Sequence, residues 1–198
     1  MPSTDSIPPS TLDDVCALAH TISPNHRVVC GEGSPTARLV IVGEAPGRDE
    51  ALQGRPFVGA AGRLLTEMLA EAGLKRDEVW ITNTVKHRPI VRSAGGERNR
   101  PPTAAEIQAY LPILVRELQI IHSRLVLCLG NVPASTLIRK DFKMTRDHGL
   151  FFPGPSGSRA MGTYHPAYLL RLQGQAREEV LDEVRADLRA VVAALADP

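Results

Sequence analysis

The chemistry of this chain starts where an apolar run hands a carboxylate to a rigid turn. Gly43-Glu44-Ala45-Pro46-Gly47 follows the run 39–42 and precedes Gly54-Arg55-Pro56-Phe57-Val58-Gly59. The glycines permit positive φ or close approach of a ligand, and Pro46 fixes its own φ while pushing Ala45 towards extended geometry. A phosphate cradle is disfavoured, because Glu44 would face the anion. Two further polar groups arrive at strand ends: Asn83 closes the segment 79–83, and His165 follows 160–164. In a parallel sheet all three share one edge, which is where open α/β sheets bind ligands. Taken singly, each has an ordinary role: an Asn caps backbone, a Phe fills core, and a His beside Pro is structural. Taken jointly with Phe57, a carboxylate, an amide and an imidazole make a pocket for a planar heterocycle.

The elements that must position these groups follow from periodicity. Helical spacing of Leu12, Val15, Leu18 and Ala19 predicts a helix over 11–22, with Ser10 and Thr11 as caps. The run 39–42 is the first central strand; 60–72 is an amphipathic helix stopped by Gly73, and 79–83 is a second strand. A Gly/Arg-rich stretch, 86–102, reads as a long loop, and loops of that length are functional or disordered. Thr103 then caps a helix with Glu106 in the capping-box position, running to about 122. A third apolar strand, 125–129, precedes a helix over 130–138, and an amphipathic helix over 175–195 ends the chain. Apolar strands alternating with helices predict a parallel sheet covered on both faces.

Composition narrows the class. With 198 residues and 43% hydrophobic content, one well-buried domain over 11–198 is expected behind a mobile, Pro-rich arm at 1–10. The net charge is only +1, so nucleic-acid contact must be local. Such a bias exists at 86–100, where Lys86, Arg88, Arg92, Arg98 and Arg100 face only Glu97. Three cysteines form no even framework, and no signal peptide or membrane-length apolar run is seen, so a cytoplasmic monomer without membrane contact is expected.

These residues carry a family resemblance. Gly43–Gly47, Gln53-Gly54-Arg55-Pro56-Phe57-Val58-Gly59, Asn83 before Val85-Lys86, and His165-Pro166-Ala167-Tyr168-Leu169-Leu170-Arg171 resemble, in order, the motifs of the family-four uracil-DNA glycosylases. The resemblance spans about 12–190. It implies a three-layer α/β/α fold with a four-stranded, mainly parallel sheet, and an enzyme of base excision repair that flips uracil from DNA, hydrolyses its N-glycosidic bond and releases free uracil. Glu44 would position or activate water, and His165 would donate to uracil O2 as charge gathers there. Phe57 would stack the ring, Asn83 would read O4 and N3–H, and Gly43 and Ala45 would line the base. Glu50 resembles the family residue that excludes the thymine methyl. Leu169 and Leu170 would wedge the duplex while Arg171 met phosphate, with the basic residues of 86–100 on the DNA backbone. A nucleoid-associated location follows whenever DNA is bound.

The departures are equally specific. The family holds a [4Fe–4S] cluster on four cysteines. Here Cys16 occupies the first position, but Ala19, His87 and Tyr110 occupy the others, so neither cluster nor other metal is expected. Cys30 and Cys128 are read as unable to replace them. The alternative reading is a protein that binds uracil or abasic DNA without turnover, even capturing it covalently. A related group of uracil-binding proteins does so through a His in an extended loop, but the only nearby His here is His87, which favours turnover.

Overall fold

A computed structural model describes residues 10–197, so the expected arm lies almost wholly outside them. The strands are β1 (Glu32–Gly33), β2 (Leu39–Gly43), β3 (Trp80–Asn83), β4 (Ile90–Ser93), β5 (Gly96–Asn99), β6 (Leu125–Leu129), β7 (Phe151–Pro153) and β8 (Arg159–Thr163). The helices are α1 (Leu12–Ile22), α2 (Arg48–Gln53), α3 (Ala60–Glu71), α4 (Ala104–Ile121), α5 (Asn131–Leu137), α6 (Met144–Asp147), α7 (Pro166–Leu169) and α8 (Gly174–Ala196).

The central sheet has the order β1-β3-β2-β6-β8-β7. Its inner four strands are parallel, as their unbroken apolar runs require. The implied count of four is thus corrected to six, because β1 and β7 add short antiparallel edges. Strand alternation sorts the core into two faces. Leu39, Ile41, Ile81, Leu125, Leu127 and Met161 pack with α3 and α8, while Val40, Val42, Trp80, Val126, Cys128 and Ala160 pack with α4 and α5. Helix α1 lies outside α4, joined through Val15, Ala19, Tyr110 and Ile113. The expected capping box of Thr103 with Glu106 forms, and Thr11 caps α1 in a further box with Asp14.

The stretch 86–102 is also corrected. It carries the antiparallel hairpin β4–β5, with Ser93 opposite Gly96 at its tip. The hairpin's side chains are mostly exposed, so no buried stripe announces it, and ladder hydrogen bonds rather than burial hold it. Among the described residues no helix is long and apolar enough to cross a membrane.

Candidate active site

The register aligns Gly43 beside Asn83 at the carboxyl ends of β2 and β3, and β8 ends one residue before Tyr164-His165. A cleft of about 550 Å³ opens along this edge, lined by Glu44, Glu50, Phe57, Asn83, His165 and Arg171 among others. The three strand-end groups and the aromatic are therefore brought together. The turn after β2 is tied to the segment after β3, since Thr84 donates from both its amide and its hydroxyl to the Gly43 carbonyl, at 2.8 and 2.9 Å.

Each wall of the cleft has a physical reason. Asn83 is 2% exposed, and its Oδ1 has no hydrogen-bond partner. An orphaned buried acceptor costs on the order of 1–3 kcal/mol unless something completes it. Gly43 leaves no room for a side chain there: a Cβ would come within 2.5 Å of that oxygen and 2.6 Å of the Phe57 ring. Phe57 itself adopts φ 52°, a left-handed conformation unusual for an aromatic residue and typical of strained functional sites. Gly62 of α3 permits it, since a Cβ at 62 would lie 1.9 Å from the Phe57 carbonyl oxygen.

His165 caps α7, and the Ala167 amide donates to its Nδ1 at 3.0 Å. An amide nitrogen can only donate, so Nδ1 is an acceptor and the ring proton sits on Nε2. Burial first, and the nearby Arg171 charge second, hold the imidazole's pKa down at about 4, leaving it neutral at pH 7. Its ring packs on Phe57 with centroids 5.7 Å apart. Burial also pushes the Glu44 carboxyl above its ordinary value, with Arg171 opposing the shift. Arg171 thus lies where its charge reaches both groups, and its guanidinium sits 5.9 Å from the Tyr168 ring.

Glu50 lines the cleft, but its carboxylate accepts from the amides of Gly47, Val58 and Gly59 at 3.1, 3.0 and 2.8 Å. It bridges the two loop motifs, a positioning role that the sequence does not disclose.

Several expected DNA contacts are placed otherwise. Lys86 is buried at 2% exposure. Its Nζ donates to Glu117 Oε2 and Thr82 Oγ1, each at 2.5 Å, and to the Asn83 carbonyl at 2.9 Å. It cannot reach a phosphate, and it braces the end of β3 instead. Sequence reasoning misses Glu117, though its place among Ile113, Leu114, Leu118 and Ile121 on the apolar stripe of α4 is a legible sign. Leu169 is fully buried in the core facing α3 and α8, which corrects its assignment as a wedge, whereas Leu170 and Tyr168 are exposed. Arg100 grips Glu106 with both terminal nitrogens at 2.7 and 2.8 Å, and this pairing holds the Glu106 carboxyl far below the carboxylate range. Arg88 donates to Asn99 at 2.6 Å and lies 3.5 Å from Glu97. Arg92 and Arg98 remain exposed on the hairpin, Arg92 sharing Glu97.

Comparison with known proteins bears on the same edge. A family model described as the uracil DNA glycosylase superfamily matches residues 30–189, which span the whole cleft. The chain belongs to the uracil-DNA glycosylase superfamily. Within that superfamily it is 42% identical over 182 residues to a type-4 uracil-DNA glycosylase of Archaeoglobus fulgidus, covering 85% of this chain and 87% of the relative. A type-4 enzyme of Thermotoga maritima is 39% identical over 160 residues, 80% of each chain. A type-5 uracil-DNA glycosylase of Thermus thermophilus is 30% identical over 178 residues, 80% of this chain and 77% of the relative.

Proposed function

We propose that the protein is a monofunctional uracil-DNA glycosylase acting on uracil flipped out of DNA, and that it works as a monomer without an iron–sulfur cluster. The observation that carries the reading is the orphaned Asn83 Oδ1 in a slot walled by Phe57 and His165. Uracil stacked on Phe57 offers N3–H to that oxygen, and its O4 accepts from the Asn83 amide nitrogen. Cytosine offers an acceptor at N3 and a donor at the 4-amino group, so both pairs are mismatched and the buried amide stays unsatisfied.

As the N1–C1′ bond breaks, the electron pair leaves with uracil and gathers on O2. A neutral His165 holding its proton on Nε2 donates there without surrendering the proton, stabilising the departing anion. The Glu44 carboxylate stabilises the oxocarbenium-like sugar and accepts a proton from the water that adds to C1′. Glu50 keeps the two loops around the base in register. Leu170 and Tyr168, exposed and apolar, enter the stack, and the exposed Arg92 and Arg98 meet phosphate.

The donors at the family's cluster positions do not fit a cubane. Cys16 is bonded to Cys30, and Ala19 has no ligand atom. Burial lowers the His87 pKa; its Nε2 donates to Glu106 at 3.1 Å, and its Nδ1 lies within hydrogen-bond distance of the Ser23 and Tyr110 hydroxyls, each at 3.3 Å. Four thiolates are what such a cluster requires.

The test is single- and multiple-turnover assay of a uracil-containing oligonucleotide beside Glu44→Ala and His165→Ala, with iron measured on the same preparation. Recurrent uracil release that collapses in both variants and needs no iron is expected. Stoichiometric capture without free uracil would overturn the reading in favour of a binding protein.

A further inference from the structure

A second cluster of chemically capable side chains lies away from the cleft. Cys16 and His20 stand four residues apart on α1, hence on one helix face, and Cys30 lies just before β1. Cys16 and Cys30 form a disulfide with their Cα atoms 5.7 Å apart. The two sulfurs and a His20 ring nitrogen all lie within 4.8 Å of one another. Both cysteines are half-buried, His20 is exposed, and a cavity of about 100 Å³ runs beside the sulfurs.

We propose that Cys16, Cys30 and His20 form a redox-gated mononuclear zinc site. In the oxidised chain the sulfurs are bonded to each other and no metal is held. A dithiol reductant transfers two electrons and two protons to the bridge, giving two thiols and its own disulfide. One Zn²⁺ then displaces both thiol protons and is bound by two thiolates and the neutral imidazole, with water in the fourth position. Around a tetrahedral zinc such donors lie about 3.5–3.8 Å apart, from Zn–S of about 2.3 Å and Zn–N of about 2.0–2.1 Å. Reaching that spacing needs side-chain adjustment on one helix turn and one strand entry, not a change of fold. Two sulfurs with one nitrogen suit zinc and exclude magnesium or calcium, which take oxygen ligands. In either redox state the same two sulfurs tie α1 to the segment entering β1.

The site is independent of the glycosylase reading, and its test does not use activity. The full chain is reduced with a phosphine, freed of metal under inert gas, and titrated with Co²⁺ alone as the spectroscopic probe, followed by Zn²⁺ competition. One equivalent giving the intense visible bands of tetrahedral thiolate-bound cobalt, displaced by zinc and absent from the unreduced chain, is expected. Cys16→Ser should abolish the spectrum. His20→Ala, an exposed substitution that the fold tolerates, should weaken zinc by more than the about 10–100-fold that losing an outer-shell partner costs. No cobalt spectrum in the reduced chain, an unchanged spectrum in Cys16→Ser, or unchanged affinity in His20→Ala would each overturn the proposal. So would isolation of the chain with a four-iron cluster.

Discussion

Two polar regions flank the end of β3, and they are built on opposite principles. In the cleft, Asn83 Oδ1 has no partner, Glu44 is half-buried with its pKa raised, and His165 has one nitrogen satisfied and the other open. Behind the strand, Lys86, Thr82, Trp80 and Glu117 form a network with short, complete hydrogen bonds, and His87, Tyr110, Ser23 and Glu106 form another. Unfinished hydrogen bonding marks where a ligand belongs; finished hydrogen bonding marks where the fold has closed on itself. The Lys86 bond to the Asn83 carbonyl is the seam between them, since the closed region holds still the residue that the open region must aim.

The contrast predicts that substitutions in the cleft cost rate, whereas those behind it cost stability. The largest effect is expected for Glu44→Ala and His165→Ala, each slowing single-turnover excision by about 10²–10⁴-fold, the range for acid–base and electrostatic groups, with the melting temperature kept or raised. A melting point that fell with activity would erase the distinction. Next comes Lys86→Met, which strands Glu117 as a buried charge and should cost about 3–5 kcal/mol in urea unfolding. Unchanged stability there would show that the network is dispensable. Asn83→Ala should cost uracil excision about tenfold or more through the two hydrogen bonds it removes, and should narrow the preference for uracil over cytosine. Equal effects on both bases would remove it as the reader.

The pH profile sharpens the same comparison. Glu44 must be ionised, and burial raises its pKa, so activity should rise with pH along an acid limb lying above the ordinary glutamate value of 4.5. His165 already becomes neutral near pH 4, so no limb should appear at the ordinary histidine value of 6.5. The sign for stability is opposite to a salt-bridged histidine: the unfolded ring gains a proton below about 6.5, and folding stability falls as pH drops from there towards 4. An activity limb near 6.5 that vanished in His165→Ala would contradict the neutral donor. The smallest effect is expected on the hairpin, where Arg92→Ala with Arg98→Ala should reduce the slope of log affinity against log salt by about 0.7–0.9 for each phosphate that the hairpin no longer neutralises. An unchanged slope would remove the hairpin from the interface.

Much of the frame is legible in the sequence because the inner strands are continuous apolar runs, and each delivers its polar residue at a fixed end; Glu44, Asn83 and His165 need only a parallel sheet to meet. What stays hidden depends on partners distant in sequence. β1 and β7 are two and three residues long and exist because a neighbouring strand completes their hydrogen bonds. Lys86 reads as a surface cation, and only Glu117, thirty-one residues on, gives it a reason to be buried. Leu169 and Leu170 are adjacent and equally apolar, and only the short α7 turns one inward and the other out. Cys30 has no visible reason to be near Cys16, since a strand entry and a helix meet only after the chain has folded back through both.

The Phe57–Gly62 contact bears on how this protein can be improved. Gly62 lies in α3, where replacing glycine by alanine in a helix ordinarily adds about 0.5–1 kcal/mol of stability. Any campaign that hardens the protein by removing helical glycines would choose this position early. The added methyl group would push on the Phe57 backbone and swing the ring off its station. Variants selected for heat resistance alone should therefore either retain Gly62 or displace Phe57 from the cleft, so the limit on thermostabilising α3 is set by the pocket beside it.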